Sequence, residues 1–345
     1  MNTTELETTA RALVAPGKGI LAADESLPTI EKRFNSIGVP STEENRRAYR
    51  ELLFTTPQLG ESISGVILFD ETIRQKATDG TPFVEVLRRQ GIVPGIKVDK
   101  GAKALAGFPG EKITEGLDGL RDRLAEYARL GARFSKWRAV INIGANIPGR
   151  TCLEANAHAL ARFAALSQEA GLVPIVEPEV LMDGGHTIDR HFEVTEATLK
   201  AVFQALFERH VCLEGMLLKP NMVLAGKDYT QQASVERVAE MTLRCMLRAV
   251  PGAVPGIVFL SGGQSDVLAT EHLNALNQLG KASWELSFSF GRALQAVALI
   301  TWRGEGISVQ AAQQALYHRA RCNSAARFGD YSQKMEQIAL QDAVA

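Results

Sequence analysis

The chain has 345 residues, 46% of them hydrophobic and 22% charged, with a formal net charge of -1. Such a composition supplies a large core and excludes an intrinsically disordered chain. The near-neutral balance speaks against a general nucleic-acid or membrane-surface binder, although local basic residues can still serve an anionic small substrate. Cys152, Cys212, Cys245 and Cys322 form no CxxC pair and read as free thiols in a reducing compartment. The N-terminal MNTTELETTARALVAPGKG has no apolar h-region and carries Glu5 and Glu7 beside one arginine, so neither a secretory nor an organellar signal is expected. No segment reaches the length of a membrane span. A soluble cytoplasmic protein with neither a nucleic-acid nor a membrane partner is the expectation.

In chain order, short apolar runs predict strands in GILAAD (Gly19 to Asp24), GVILFD (Gly65 to Asp70), VPGIKVD (Val93 to Asp99) and RFSKWRAVI (Arg133 to Ile141). Four more are predicted in LVPIVEPE (Leu172 to Glu179), GMLLK (Gly215 to Lys219), GIVFLSG (Gly256 to Gly262) and WELSFSFG (Trp284 to Gly291). Stretches with helical spacing, such as TCLEANAHALARFAALSQEAG and ASVERVAEMTLRCMLRAV, lie between them. Strand alternating with helix over eight units predicts a closed (β/α)8 TIM barrel, an α/β fold. An open doubly wound sheet would favour fewer strands and a GxGxxG after the first, and none is present. Residues 1–345 therefore read as a single barrel domain with an N-terminal helical extension and a C-terminal tail from about 329 to 345. The tail is polar and is expected to lie over the barrel or to be partly mobile.

A barrel gathers its active-site groups at the C-terminal ends of the strands, and alternate residues share a face. Lys97 and Asp99, Lys136 and Arg138, and Glu177 and Glu179 are spaced in this way, while Asp24 and Lys219 end the first and sixth strands. Any one such pair could equally be a structural salt bridge. The ensemble of Asp24, Lys97, Lys136, Glu177 and Lys219 is expensive to desolvate, and functional sites are where that cost is tolerated. The seventh strand runs into LSGGQS, with Ser261, Gly262 and Gly263, and the eighth into SFGRA, with Ser289, Gly291 and Arg292. Loops at these two places in a barrel commonly cradle phosphate with backbone N–H groups, and an arginine can clamp the anion with two donors.

Lys219 closes an apolar run, EGMLLKPNMV, where an ammonium group needs a partner or must give up its proton. A neutral lysine amine attacks a ketone, and the resulting imine draws electrons from the neighbouring carbon. Nearby carboxylates can move the protons that dehydration and C–C cleavage require. A phosphate site at the same mouth makes the expected substrate a phosphorylated ketose and the chemistry a Schiff-base aldol reaction.

The strings GKGILAADES, EENRRAYR, GVILFDETI, GIKVDKG, KWRAVI, VPIVEPE, LLKPNMV, FLSGGQS and FSFGRALQA resemble class I fructose-1,6-bisphosphate aldolase, from about residue 10 to about residue 330. The resemblance implies the (β/α)8 fold, a glycolytic or gluconeogenic role, no metal or other cofactor, and a homotetramer acting on a small sugar bisphosphate. It makes Lys219 the Schiff-base lysine, Glu177 the main proton shuttle, and Asp24 the acceptor of the C4 hydroxyl proton. Lys136 and Glu179 complete the network. It assigns Ser261, Gly262, Gly291 and Arg292 to the C1 phosphate, with Ser289 beside them. Ser26, Lys97 and Arg33 fall at the C6 phosphate, and Arg46 on the substrate side.

The chain departs from the family pattern at two places. Thr29 stands where a serine hydroxyl is expected, and the chain ends QDAVA where the animal enzymes end in a tyrosine that assists enamine protonation. Tyr331, the last tyrosine, lies too far upstream to be carried over. Two readings compete with the aldolase one. A metal-dependent aldolase needs histidines at a zinc site, yet the six histidines include no pair on adjacent strand ends, and His186 and His191 read as satisfied loop or surface residues. A non-catalytic sugar-phosphate-binding scaffold of the same fold would be expected to lose some of Asp24, Lys136, Glu177 and Lys219, and all four are present.

Overall fold

The structure, a computed structural model, describes residues 3–280 and 282–337. Eight parallel strands close a barrel in the order β1-β10-β9-β8-β7-β6-β3-β2. In chain order these are β1 (Gly19–Ala22), β2 (Ile63–Leu68), β3 (Val93–Lys97), β6 (Phe134–Ile141), β7 (Val173–Val180), β8 (Leu217–Leu218), β9 (Gly256–Phe259) and β10 (Glu285–Phe290). All eight expected strands are present, with helices between them on the outside. The two stretches with helical spacing form the helices Arg150–Glu169 and Val235–Ala249.

Helix starts follow local chemistry. Thr42, Thr187, Ser234 and Ser265 each accept a hydrogen bond from the backbone N–H three residues on, which satisfies a donor that the first turn leaves unpaired.

Period two runs through the strands. Inward-facing side chains are apolar near the bottom of the barrel and charged near the top. Phe134 is followed two residues later by Lys136, Ile175 by Glu177 and Leu217 by Lys219, and Phe134, Ile175 and Leu217 belong to one buried cluster. The N-terminal helix Thr3–Leu13 plugs the bottom by placing Leu6, Ala10 and Leu13 in that cluster, with Val14 after it. This close approach explains glycines at the lower ends of two strands, Gly65 near the start of β2 and Gly256 at the start of β9. A Cβ at Gly65 would stand 2.6 Å from Leu13 Cδ2, and one at Gly256 would stand 2.6 Å from Val14 Cγ1.

Two features differ from the sequence reading, and a third bears on the tail. A hairpin of β4 (Ala102–Ala104) and β5 (Lys112–Thr114) follows β3. It went unread because residues 102–104 are all exposed and carry no alternating apolar signal. β8 is confined to two residues because Pro220 lacks an N–H to continue the ladder, although Lys219 N still donates to Val176 O at 2.8 Å. The start of the tail packs down: Tyr331 is buried, and its backbone N donates to Asn274 Oδ1 at 2.9 Å. Residues 338–345, with the C-terminal QDAVA, lie outside the described residues. Trp137, Trp284 and Trp302 are all buried, and no helix among the described residues is long and apolar enough to cross a membrane.

Gly256→Ala should destabilise the fold by about 1–3 kcal/mol, the usual cost of overpacking, as read by urea denaturation. Val14→Ala in the same chain should restore part of that loss, because the clash is with the valine side chain.

Candidate active site

The top of the barrel opens into a cavity of about 1570 Å³. Its centre is built by four strands, two of them through residues just past their ends. β6 lends Lys136, β7 lends Glu177, and Lys219 and Asp24 lie just past β8 and β1. Register sets Lys219 level with Glu177, because Ile175 stands beside Leu217, and sets Lys136 one inward-facing position lower, beside Ile175.

The four groups form a line of alternating charge. Lys219 Nζ lies 3.1 Å from Glu177 Oε1. Lys136 Nζ lies 3.0 Å from Glu177 Oε2 and 2.8 Å from Asp24 Oδ2. Side-chain exposure is 5% for Lys136, Glu177 and Lys219 and 11% for Asp24, so little water screens these contacts. Two ammonium groups against two carboxylates leave the line neutral, which is what makes its burial tolerable. Glu177 Oε2 meets Lys136 without hydrogen-bond geometry, so this buried oxygen keeps hydrogen-bonding capacity for a bound group.

The electrostatics follow from burial and charge in opposition. Burial pushes the Asp24 carboxyl up, but Lys136 and then Lys219 overrule it and hold the group well below the usual carboxylate range. Burial likewise pushes Glu177 up, and Lys136, Lys219 and Arg138 bring it below its ordinary value. Burial works against a charged Lys136, yet Asp24 and Glu177 raise it above the usual lysine range. Both carboxyls are therefore ionised near neutral pH, and Lys136 is a fixed cation between them.

Further groups surround this line. Arg138 Nε donates to Glu179 Oε2. Lys97 Nζ donates to Asp99 Oδ1 at 2.5 Å, and Asp99 Oδ2 accepts from the backbone N of Arg138 at 3.2 Å. Ser261, Gly262, Gly263, Ser289, Gly291 and Arg292 line the cavity. Gly262 and Gly263 have φ of +39° and +89°, a region that favours glycine and turns the backbone of this loop sharply. The Ser289 hydroxyl is buried without a partner, and Gly291 precedes the helix Arg292–Trp302. Arg292 is exposed at that helix start. Such a set of backbone and side-chain donors suits an anion. Ser26, Thr29, Arg33 and Lys97 also line the cavity, with Arg33 Nη2 3.8 Å from where a Cβ at Gly291 would stand. Ser26 Oγ and Thr29 Oγ1 are 3.1 Å apart, so the threonine places a hydroxyl where a serine was expected.

Arg46 does not line the cavity. Its guanidinium is bound at both ends by Glu71, Nε to Oε2 at 2.7 Å and Nη2 to Oε1 at 2.5 Å, which corrects its placement on the substrate side. His191 is likewise not a loop or surface residue. It is fully buried on the helix Ile188–Glu208, where its ring meets Val180 O at 3.2 Å and accepts from Leu224 N at 2.9 Å. Burial pushes it down to about 3, and it stacks on His186.

Sequence reasoning missed a buried support beneath Asp24. Glu25 accepts from Arg33 Nη1, from Arg50 Nη2 at 2.5 Å and from Gln295 Nε2 at 2.9 Å, and Gln295 also donates to Ala22 O at 2.7 Å. Position alone could have flagged Glu25 beside Asp24 in AADES. Arg50 and Gln295 sit on helices with no signal pointing to the mouth.

Comparisons with known proteins agree with this geometry. A family model described as "Fructose-bisphosphate aldolase class-I" matches residues 5–344. A Xanthomonas campestris protein named "Probable fructose-bisphosphate aldolase class 1" is 61% identical over 332 residues, covering 96% of this chain and 99% of that one. A cytosolic fructose-bisphosphate aldolase of Arabidopsis thaliana is 56% identical over 328 residues, covering 95% of this chain and 91% of that one. A solved fructose-bisphosphate aldolase from Plasmodium falciparum, in complex with TRAP and a small-molecule inhibitor, superposes with a TM-score of 0.94 at 50% identity, covering 95% of each chain. The chain belongs to the class I fructose-bisphosphate aldolase family.

Proposed function

We propose that Lys219 carries the aldol cleavage of fructose 1,6-bisphosphate as a Schiff base. The observation that carries this reading is a buried lysine 3.1 Å from a buried carboxylate, in a cavity also lined by candidate anion-binding groups. Lys219 Nζ, once neutral, attacks the C2 ketone carbon. Glu177, in contact with that nitrogen, takes and returns the protons that turn the carbinolamine into an imine and water. Asp24, held ionised by Lys136, accepts the C4 hydroxyl proton as the C3–C4 bond breaks. The bonding electrons move into the protonated imine and leave an enamine on Lys219. Glyceraldehyde 3-phosphate departs first. Protonation of the enamine and hydrolysis then release dihydroxyacetone phosphate.

In this reading Ser261, Gly262, Gly263, Ser289, Gly291 and Arg292 hold one phosphate, and Ser26, Arg33 and Lys97 the other. Arg138 and Glu179 complete the wall between the two ends. The chain works as one domain, in the cytoplasm and as a homotetramer. The word cytosolic in the Arabidopsis relative's name supports the compartment, and the family resemblance supports the assembly.

Borohydride added with dihydroxyacetone phosphate, in a chelator, should leave a reduced adduct that peptide mass spectrometry places on Lys219. Turnover without an adduct, abolished by the chelator, would replace the imine by metal chemistry.

The acid limb of the rate profile provides a second test. Asp24 and Glu177 lie below their ordinary values of 3.8 and 4.5. Their ionised state, and the stability it contributes, is complete above those values and is lost as pH falls below them. Lys136→Met removes the largest influence lowering both carboxyls and leaves burial in force. The acid limb of its residual cleavage activity should therefore move to higher pH than in the wild type. An unmoved limb would remove Lys136 from the account of their ionisation.

A further inference from the structure

A second cluster of donor groups lies away from the barrel mouth, and the aldol chemistry does not use it. His318 and Cys322 stand four residues apart on the helix Val309–Phe328, so they share one face of it. Glu336 returns to the same face from the segment that follows the helix. His318 Nε2 lies 3.5 Å from Cys322 Sγ and 3.9 Å from Glu336 Oε2. One donor atom from each residue falls within 4.8 Å of the other two. None of the three lines the cavity.

We propose that His318, Cys322 and Glu336 bind a divalent, thiolate-tolerant metal ion, with zinc the best match, and that the ion pins the segment after the last helix to that helix.

Imidazole, thiolate and carboxylate are all zinc ligands. Tetrahedral zinc with bonds of 2.0–2.3 Å sets its donor atoms roughly 3.3–3.6 Å apart. The imidazole and thiol already have that spacing, and the carboxylate has to move closer to complete it. Cys322 is fully buried, while the His318 and Glu336 side chains are 26% and 25% exposed. The ion thus has an entry path, and a fourth position can take water.

The carboxylate is also oriented from behind, as metal ligands usually are. Tyr331 Oη donates to Glu336 Oε1 at 2.6 Å, and Arg319 donates to Oε2 at 2.8 Å while its other arm lies 2.7 Å from Oε1. Metal binding at this cluster requires the Cys322 thiol and the His318 ring to release their protons.

The test uses the full chain, stripped with a chelator and titrated with zinc by calorimetry and with cobalt(II) by absorbance. The wild type should bind a zinc ion that Cys322→Ser and His318→Ala do not bind. Its cobalt form should show a thiolate charge-transfer band that is lost in Cys322→Ser and kept in Cys152→Ser. Tyr331→Phe should weaken binding about 10–100-fold. Fructose 1,6-bisphosphate cleavage should be the same in all of these variants. If burial of Cys322 makes its serine variant misfold, His318→Ala, on a partly exposed side chain, answers alone. Equal zinc uptake by the wild type and His318→Ala, or a cobalt form with no thiolate band, would reduce the cluster to an ion-paired contact and overturn the proposal.

Discussion

The site depends on one carboxylate held between two ammonium groups in a dry barrel mouth. Glu177 touches Lys219 with one oxygen and Lys136 with the other, and Lys136 in turn touches Asp24. Remove any member and the remaining charges are buried without compensation, a situation that costs several kcal/mol. Neutrality of the whole line lets four ionisable side chains sit where a barrel would otherwise place aliphatic ones. The same opposition of burial and charge sets their protonation. Burial would neutralise the carboxyls, and the cations between and beside them keep them ionised.

The rest of the fold serves that arrangement. On β6, β7 and β8 period two sends an apolar residue inward low on the strand and a charged one inward two positions higher. The same strand thus supplies both a floor and a reactive wall. The floor is sealed from below by the N-terminal helix, which Gly65 in β2 and Gly256 at the start of β9 admit. Beneath Asp24, Glu25 ties Arg33, Arg50 and Gln295 into a buried brace, and Gln295 also holds the backbone at Ala22. A rigid support of this kind fixes Asp24 toward the cavity without using its carboxylate.

The parts of the site carried by strands were legible in the sequence because strand periodicity is short and strict. A lysine two residues beyond a buried aromatic, as in Phe134 and Lys136, can point only into the mouth. The glycine loops were legible for a related reason, since their place in the strand order is also their place in space. Residues brought in by helices were not legible. Arg50 and Gln295 reach the support through tertiary packing, and Arg46, with a similar local sequence, turns instead to Glu71. His191 was misplaced because its ring partners, Val180 and Leu224, lie on other segments. The hairpin of β4 and β5 escaped notice because β4 is wholly exposed and both strands have only three residues, too short for an apolar pattern.

The central claim is that Lys136 and Glu177 act on imine formation as one unit rather than as two independent aids. A double-mutant cycle on the single-turnover rate of imine formation tests this, using Glu177→Gln, Lys136→Met and the pair. Each single change is predicted to slow the step by about 10²–10⁴-fold, the range for general acid–base groups. The account predicts that the double variant is no slower than the worse single one, because either change breaks the same line of charge. Losses that multiply in the double variant would contradict it and make the two residues separate contributors.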